Sequence, residues 1–429
     1  MKLLALVKGG VVVTAAAAAV AGWAWLRAHP VPPAPSSMTA ATMSLRPVPW
    51  EGGPAAYAAW PATARAGWTD PSFFPVGLWF AAARDDEQVA QDRDMGINTY
   101  VELTADSRPG VLRKAGMSAL TAEPLRGAGA ETVGWTLADK ADVWAGLGDE
   151  RWTGSVGASP PPCRPALATC GDTVLRTLAG ELPRDSRPRY ATLGKGVALW
   201  ATDPQGARFV NDHADLVGVD VSWYGDPGIC ADATLRRQLP AAQCRLAANY
   251  GATVDRVREL DAADGRAKPV FAVVSLAGLT PPQVGGAVMS SLIHGARGIV
   301  YDAHDPGPRC RSEDLLRSAC GRAVRKAVTE LGGLVRRLAP VLNSPSYAYD
   351  FAPDLDTTLK AHGGAYYLFA MLGRGSPPGA YTLTVPANLS RSGRAEDVLT
   401  GRPVTTDREG RFTATFAAEY AYHVYRIVP

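Results

Sequence analysis

From about residue 70 the chain repeats one alternation: a near-continuous apolar run of strand length, a polar terminus, then a stretch long enough for a helix. The runs are FPVGLWF (74–80), INTYVEL (97–103), GMSALTA (116–122), TVGWTLA (132–138), GKGVALW (194–200), LVGVDVSW (216–223), PVFAVVSL (269–276) and ARGIVYDA (296–303). Runs that stay apolar at successive positions belong to strands buried on both faces, as in a parallel sheet covered by helices. DDEQVAQDRDMG (85–96) and TPPQVGGAVMSSLIHG (280–295) supply helical intervals between them. Eight such units predict an α/β fold, a (β/α)8 TIM barrel, whose usual size is about 250 residues. A doubly wound open sheet is the competitor, but no glycine-rich phosphate loop follows the first run.

The pattern changes near Ser344. GAYYLFAMLG (364–373), GAYTLTVP (379–386) and RFTATFAAEYAYHVYRIVP (411–429) carry aromatic and β-branched residues at strand spacing, broken by glycine and proline turns. They predict a small antiparallel β-sandwich over 344–429, following a barrel over 50–343. In the last run Tyr420, Tyr422, His423 and Tyr425 place one face in the sandwich core.

Ahead of the barrel, residues 1–29 read as a signal anchor or a signal peptide: Lys2 and Lys8 precede an apolar run that ends at Arg27. Ala19-Val20-Ala21 offers a cleavage site, whereas Trp23 and Trp25 stand where an anchor's outer aromatic belt would lie. Both readings carry the rest of the chain out of the cytoplasm, and the uncleaved one makes the membrane a partner. The proline-rich linker at 30–49, containing HPVPPAPSS, is a stiff spacer.

Composition adds limits. The 429 residues are 47% hydrophobic and 20% charged, ordinary for a globular protein. A net charge of +3 with scattered arginines gives no footprint for nucleic acid. The six cysteines form three sequence-local couples, Cys163/Cys170, Cys230/Cys244 and Cys310/Cys320. An even count in an exported chain argues for disulfides, and local pairing is the simplest connectivity. No C-x-x-C pair and no histidine at ligand spacing occurs, so neither a metal nor another cofactor is implied.

DPSFFPVGLWF at the first strand, DMGINTYVEL at the second, GWTLADKAD at the fourth and KPVFAVVSL at the seventh together resemble bacterial glycoside hydrolases. TPPQVGGAVMSSLIHGARGIVYDAH, into the eighth strand, and LAPVLNSP, at the domain junction, extend the likeness. The family is the large (β/α)8 clan with two catalytic glutamates, in its branch with a C-terminal β-sandwich. The resemblance covers the chain from about Trp50. It implies a general-acid glutamate in a D-E-P-D-like string after the fourth strand and a nucleophilic glutamate after the seventh. Here the first string is Asp139-Lys140-Ala141-Asp142, and Ser275 stands at the second position. Lys140 and Ser275 therefore occupy both glutamate positions.

That exchange removes the ordinary mechanism. Retaining hydrolysis needs two carboxyl groups about 5–5.5 Å apart, one protonated and one ionised. A lysine, with an ordinary pKa of about 10.4, opposes an oxocarbenium-like transition state. A serine is a poor nucleophile without a base.

Three chemistries are left to weigh. Carboxylates at other strand ends, Glu102, Asp139, Asp220, and Asp302 and Asp305 flanking His304, converge on one barrel face. An Asp139/Asp302 pair would serve as acid and base across a wider gap; otherwise these groups are binding or structural. Asp302 stands where the family carries phenylalanine. A Ser275/Lys140 acyl-transfer dyad lacks an oxyanion motif, and an ion pair of Lys140 with Asp139, Asp142 or Asp302 is the plainer alternative.

Third, the cleft binds without cleaving. Trp79, Trp200, Trp223 and Tyr224 near strand ends offer faces for sugar rings, with Glu102 and His304 as polar partners, or else cap the core. Arg84, Asp85 and Asp86 read as a helix start, His213 and His294 as hydrogen-bonded structural histidines, and Asn388 as an isolated sequon.

The expectation is an exported, glycoside-hydrolase-like protein that binds a carbohydrate, such as a cell-envelope glycan, without two-glutamate hydrolysis. An active glycosidase with relocated carboxylates (Asp139, Asp302, Glu102) and a structural or protein-binding surface component are the alternatives.

Overall fold

The computed structural model describes residues 45–48, 53–122, 127–156, 161–307, 310–386, 388–389 and 394–429. The leader expected at 1–29 and nearly all of the linker expected at 30–49 lie outside the described residues. Among the described residues no helix is long and apolar enough to cross a membrane.

Eight parallel strands close into a barrel: β1 Val76–Ala81, β2 Thr99–Leu103, β3 Ser118–Thr121, β4 Thr132–Thr136, β5 Arg189–Leu193, β6 Leu216–Asp220, β7 Val270–Ser275 and β8 Gly298–Asp302. The ring runs in sequence order and shuts where β8 pairs with β1, Asp302 beside Trp79. The longer helices are α1 Asp86–Asp94, α2 Pro109–Ala115, α3 Gly171–Glu181, α4 Asp203–Asn211, α5 Ile229–Arg237, α6 Ala248–Asp261, α7 Pro281–Ile293 and α8 Arg322–Leu342. Asp85 caps α1 by accepting from the Gln88 amide at 2.9 Å, as an acid before a helix should.

Large side chains from some strands fill the bore over glycines on others. The Phe271 ring lies where a Cβ on Gly298 would come within 2.7 Å, and the Tyr190 hydroxyl where one on Gly218 would come within 1.9 Å. The lower end is plugged by Tyr57 and Trp68, both buried. Trp68 stacks on Phe73 and donates to Ser118 at the start of β3, and the Tyr57 hydroxyl donates to the Arg297 carbonyl just ahead of β8. The open end is therefore the one where the strands finish.

Seven of the eight expected strands lie within their runs or within a residue of them. The fifth does not: the strand is Arg189–Leu193, and Gly196–Trp200 winds as a π-helix. Its apolar residues look like a strand because they are buried, but buried Asp142 sets the backbone instead. The Asp142 carboxylate accepts from the Gly194 and Val197 amides, and a side chain at 196 would collide with the Asp142 carbonyl at 2.3 Å.

The C-terminal part is antiparallel: β9 Ser346–Ala348, β10 Leu355–His362, β11 Ala365–Leu372, β12 Gly379–Thr384, β13 Arg394–Asp397, β14 Arg402–Thr405, β15 Arg411–Phe416 and β16 Tyr422–Val428. One sheet is ordered β9-β10-β11-β16-β13-β14, and β12 pairs with β15 to face it as the second layer of a sandwich. Leu368, Phe412, Phe416, Tyr425 and Ile427 form its core. Within the stretch expected as linker, Arg46–Pro47 adds to this sheet beside β9.

The sandwich is tied to the barrel by Glu419, which accepts from the Tyr224 hydroxyl and the Ala247 amide at 2.7 Å each. His294 adds a second tie, reaching Asp255 on α6 at 2.5 Å and Asp356 on β10 at 3.2 Å. The disulfides are the three local ones, Cys163–Cys170, Cys230–Cys244 and Cys310–Cys320. They fit a protein that matures outside the reducing cytosol.

Candidate functional site

The strand ends gather one polar cluster. Lys140 follows β4 in the left-handed region (φ 48°), where few residues other than glycine settle. Its amide is held by the Thr192 carbonyl at 2.9 Å, which aims the side chain across the mouth. There Nζ donates to Asp220 Oδ2 at 2.7 Å, lies 3.5 Å from Asp139 Oδ2, and stands 5.6 Å over the Trp79 ring. Burial opposes the ammonium, yet Asp220 and Asp139 overcome it and hold the Lys140 pKa above the ordinary lysine range.

One expected partner, Asp139, lies 3.5 Å from the ammonium, but the nearest carboxylate is not among those expected. Asp220, at the end of β6, takes the lysine, while Asp142 caps the π-helix and Asp302 binds His304. Nothing in the local sequence marks Asp220 as the partner, because the contact spans 80 positions. A firmly protonated Lys140 cannot take a proton from Ser275, so the acyl-transfer dyad is set aside. Ser275 ends β7 buried, beside Asp302 in register.

Burial pushes the Glu102 carboxyl, at the end of β2, up to about 7, against the pull of Thr136 and Lys140. Asp139 is likewise raised to about 7, by burial first, with the Asp220 and Glu102 charges outweighed in part by Lys140. Asp220 is raised by burial as well. Asp302 accepts from the His304 amide at 3.0 Å and lies 2.9 Å from its Nδ1, and that contact raises the His304 pKa.

Backbone strain coincides with this cluster. Phe80 (φ 48°), Glu102 (φ 57°) and Lys140 (φ 48°) adopt positive φ at or just beyond the ends of β1, β2 and β4. Such conformations cost of order 1–3 kcal/mol each and collect at functional sites.

Beside the Lys140–Asp220 pair lies a cleft of about 330 Å³ lined by Asp139, Val143, Trp144, Lys195, Ser222 and Asp226, among others. Lys195, which sequence reasoning missed, binds Asp226 at 3.1 Å and Asp232 at 2.8 Å and stands 5.6 Å over Trp200.

The aromatic candidates divide. Trp79 is at the mouth, packed on Phe80 and edge-on to His304, and Phe80 is 44% exposed. Trp200 ends the π-helix rather than a strand. Trp223 is a correction: it is 3% exposed and donates to Thr253 on α6, so it packs behind the strand ends and does not line the mouth cleft. Tyr224 is also drawn away, spending its hydroxyl on Glu419 of the sandwich. His213 is structural, 2.9 Å from Asp172. Among the described residues no group of His, Cys, Asp and Glu is arranged to hold a metal ion.

No family model matches the chain, and no curated protein matches it. Solved structures similar to it are glycoside hydrolases. An α-amylase from Geobacillus thermoleovorans is 9% identical, with 83% of this chain and 98% of that one covered at a TM-score of 0.48. A GH30 endoxylanase from Clostridium papyrosolvens is 9% identical over 83% and 96%, at 0.46. A family 51 α-L-arabinofuranosidase from Bifidobacterium longum is 11% identical over 84% and 96%, at 0.43. The barrel assignment itself stands on the closed strand pairing of this chain.

Proposed function

We propose that this is an exported, glycoside-hydrolase-like protein that binds a carbohydrate, a cell-envelope glycan, at the strand-end cleft and does not cleave it by the two-glutamate route. The carrying observation is the Lys140 ammonium, fixed 2.7 Å from Asp220 at the barrel mouth. A fixed cation at the general-acid position opposes the positive charge that develops during glycosidic cleavage. Because Lys140 turns to Asp220, the mouth is not sealed by a Lys140–Asp302 pair, and an open cleft remains beside it. Trp144 supplies an aromatic side chain to that cleft, and Trp79 stands at the same mouth with the Lys140 ammonium 5.6 Å over its ring.

Export is supported by the three disulfides and by the leader pattern of the first 29 residues. A second reading, relocated acid–base catalysis, is favoured by one observation: Glu102 and Asp139 are both poised at about 7, where a carboxyl group exchanges protons at neutral pH. Titration calorimetry against a panel of envelope polysaccharides tests binding, with Trp79→Ala as the variant that should weaken it. Absence of binding to every glycan would remove the proposal.

A further inference from the structure

Behind the barrel mouth lies a second cavity, of about 420 Å³, between the π-helix, α5, α6 and the turn that follows β11. It shares no lining residue with the mouth cleft. Helix α5 passes from one to the other. Ile229 lines the cleft, while Ala233 and Arg237, further along the same helix face, line the cavity. The space is of a size that takes a small ligand.

One side of the cavity is apolar and the other cationic. Leu199, Trp223 and Leu239, all buried, make the first. Arg237, Arg256 and Arg374 make the second, from α5, α6 and the sandwich. Arg237 and Arg256 converge, since a terminal nitrogen of each lies at the Ala201 carbonyl, 3.3 and 3.5 Å away. Burial first, and then the Arg256 charge, hold the Arg237 pKa below the ordinary arginine range.

The carboxylates nearby are engaged or stand in water. Asp255, in the cavity wall, and Asp356 both bind His294. Asp203 pairs with Arg256 at 2.7 Å, but its side chain is 80% exposed, and an exposed pair is weak enough for another anion to replace it. Glu259, the other acid in the wall, is exposed and acts on Arg237 without an ion pair among the described residues. A guanidinium carries several N–H donors in a fixed fork. Arg237 gives one to Ala201, and Arg374 makes neither a hydrogen bond nor an ion pair among the described residues. The donors left over border one cavity whose opposite wall is apolar.

We propose that this cavity is a binding site for an amphipathic anion, a carboxylate or phosphate oxyanion carried on an apolar body. The oxyanion meets the guanidinium groups, whose planar forks match such oxygens, and the body lies against Leu199, Leu239 and the Trp223 indole. A cation would face three arginines, a neutral apolar molecule would leave their donors unused, and bare phosphate would leave the apolar wall wet. The site is independent of the glycan reading of the mouth.

The test is fluorescence titration of the full chain at neutral pH with anilinonaphthalene sulfonate, beside phenylnaphthylamine, which has the same rings and no charge. The sulfonate is expected to fill a single saturable site and to bind at least about tenfold more tightly than the uncharged probe. Arg237→Gln and Arg374→Gln, both at exposed positions, should each weaken it at least about threefold with the melting temperature unchanged. Octanoate or octyl phosphate should displace the sulfonate, the better competitor naming the oxyanion, and octanol should not. Equal affinity for the two probes, or displacement by octanol as readily as by the octyl anions, would overturn oxyanion recognition. Sulfonate binding that neither variant weakens would place the probe elsewhere and overturn the site, as would the absence of saturable binding.

Discussion

Lys140, after the fourth strand, and Asp220, at the end of the sixth, are joined by a 2.7 Å ion pair across the barrel mouth. Asp220 is almost fully enclosed, while Lys140 keeps 31% of its side chain exposed. Lys140→Met strands the buried carboxylate and should destabilise the fold by roughly 1–3 kcal/mol, less than for a fully buried pair because solvent screens the lysine. Adding Asp220→Leu should recover part of that loss. Urea unfolding of both single variants and the double variant checks it, and strict additivity would show that the two residues are uncoupled.

The raised carboxyls give stability a definite pH slope. Folding lifts Glu102 from 4.5 to about 7 and Asp139 from 3.8 to about 7. A group with a raised folded pKa contributes stability below its unfolded pKa and loses it as pH rises through the folded value. The contribution of these two therefore declines between about pH 4 and 7. Glu102→Gln and Asp139→Asn should unfold at higher temperature than the parent above pH 7 and lose that advantage at pH 4, as read by thermal melts across pH.

His294 sets a second, separate window at the seam between barrel and sandwich. Burial works against its charge, but Asp255 at 2.5 Å and Asp356 at 3.2 Å raise its pKa to about 9. Its contribution is complete below an unfolded pKa of about 6.5 and disappears as pH passes through about 9. His294→Gln should flatten the alkaline limb of the melting-temperature profile. An unchanged limb would remove the imidazole as its cause.

The Cys230–Cys244 bridge spans 14 positions around α5, the helix that carries Asp232 to Lys195. Replacing both cysteines by serine should cost about 3 kcal/mol through freed loop entropy. It should also loosen the Lys195 clamp. Peptide maps before and after reduction check the pairing, and unfolding curves check the magnitude.

The barrel was legible because double-faced burial leaves unbroken apolar runs, as in PVFAVVS and RGIVYD. The same signal failed at GVALW, where burial also produces an apolar run but the buried Asp142 carboxylate fixes a π-helix. Position along the chain put Glu102, Asp139, Lys140 and Asp302 at strand ends, and these gather at one mouth. Partner choice was legible in part: neighbouring Asp139 lies 3.5 Å from Lys140, but the closer contact with Asp220 depends on how far apart β4 and β6 stand across the bore. Trp223 shows the converse limit, since a tryptophan just past a strand end reads alike whether it faces a cleft or packs under a helix.

The central claim is a barrel that holds a glycan without cutting it. It is tested most directly by incubating the full chain with envelope polysaccharides and measuring, on the same samples, bound ligand and newly formed reducing ends. Saturable binding with no new reducing ends is the predicted result. New reducing ends made by the parent protein and lost in Asp139→Asn would contradict it and assign the carboxylates at the mouth to catalysis.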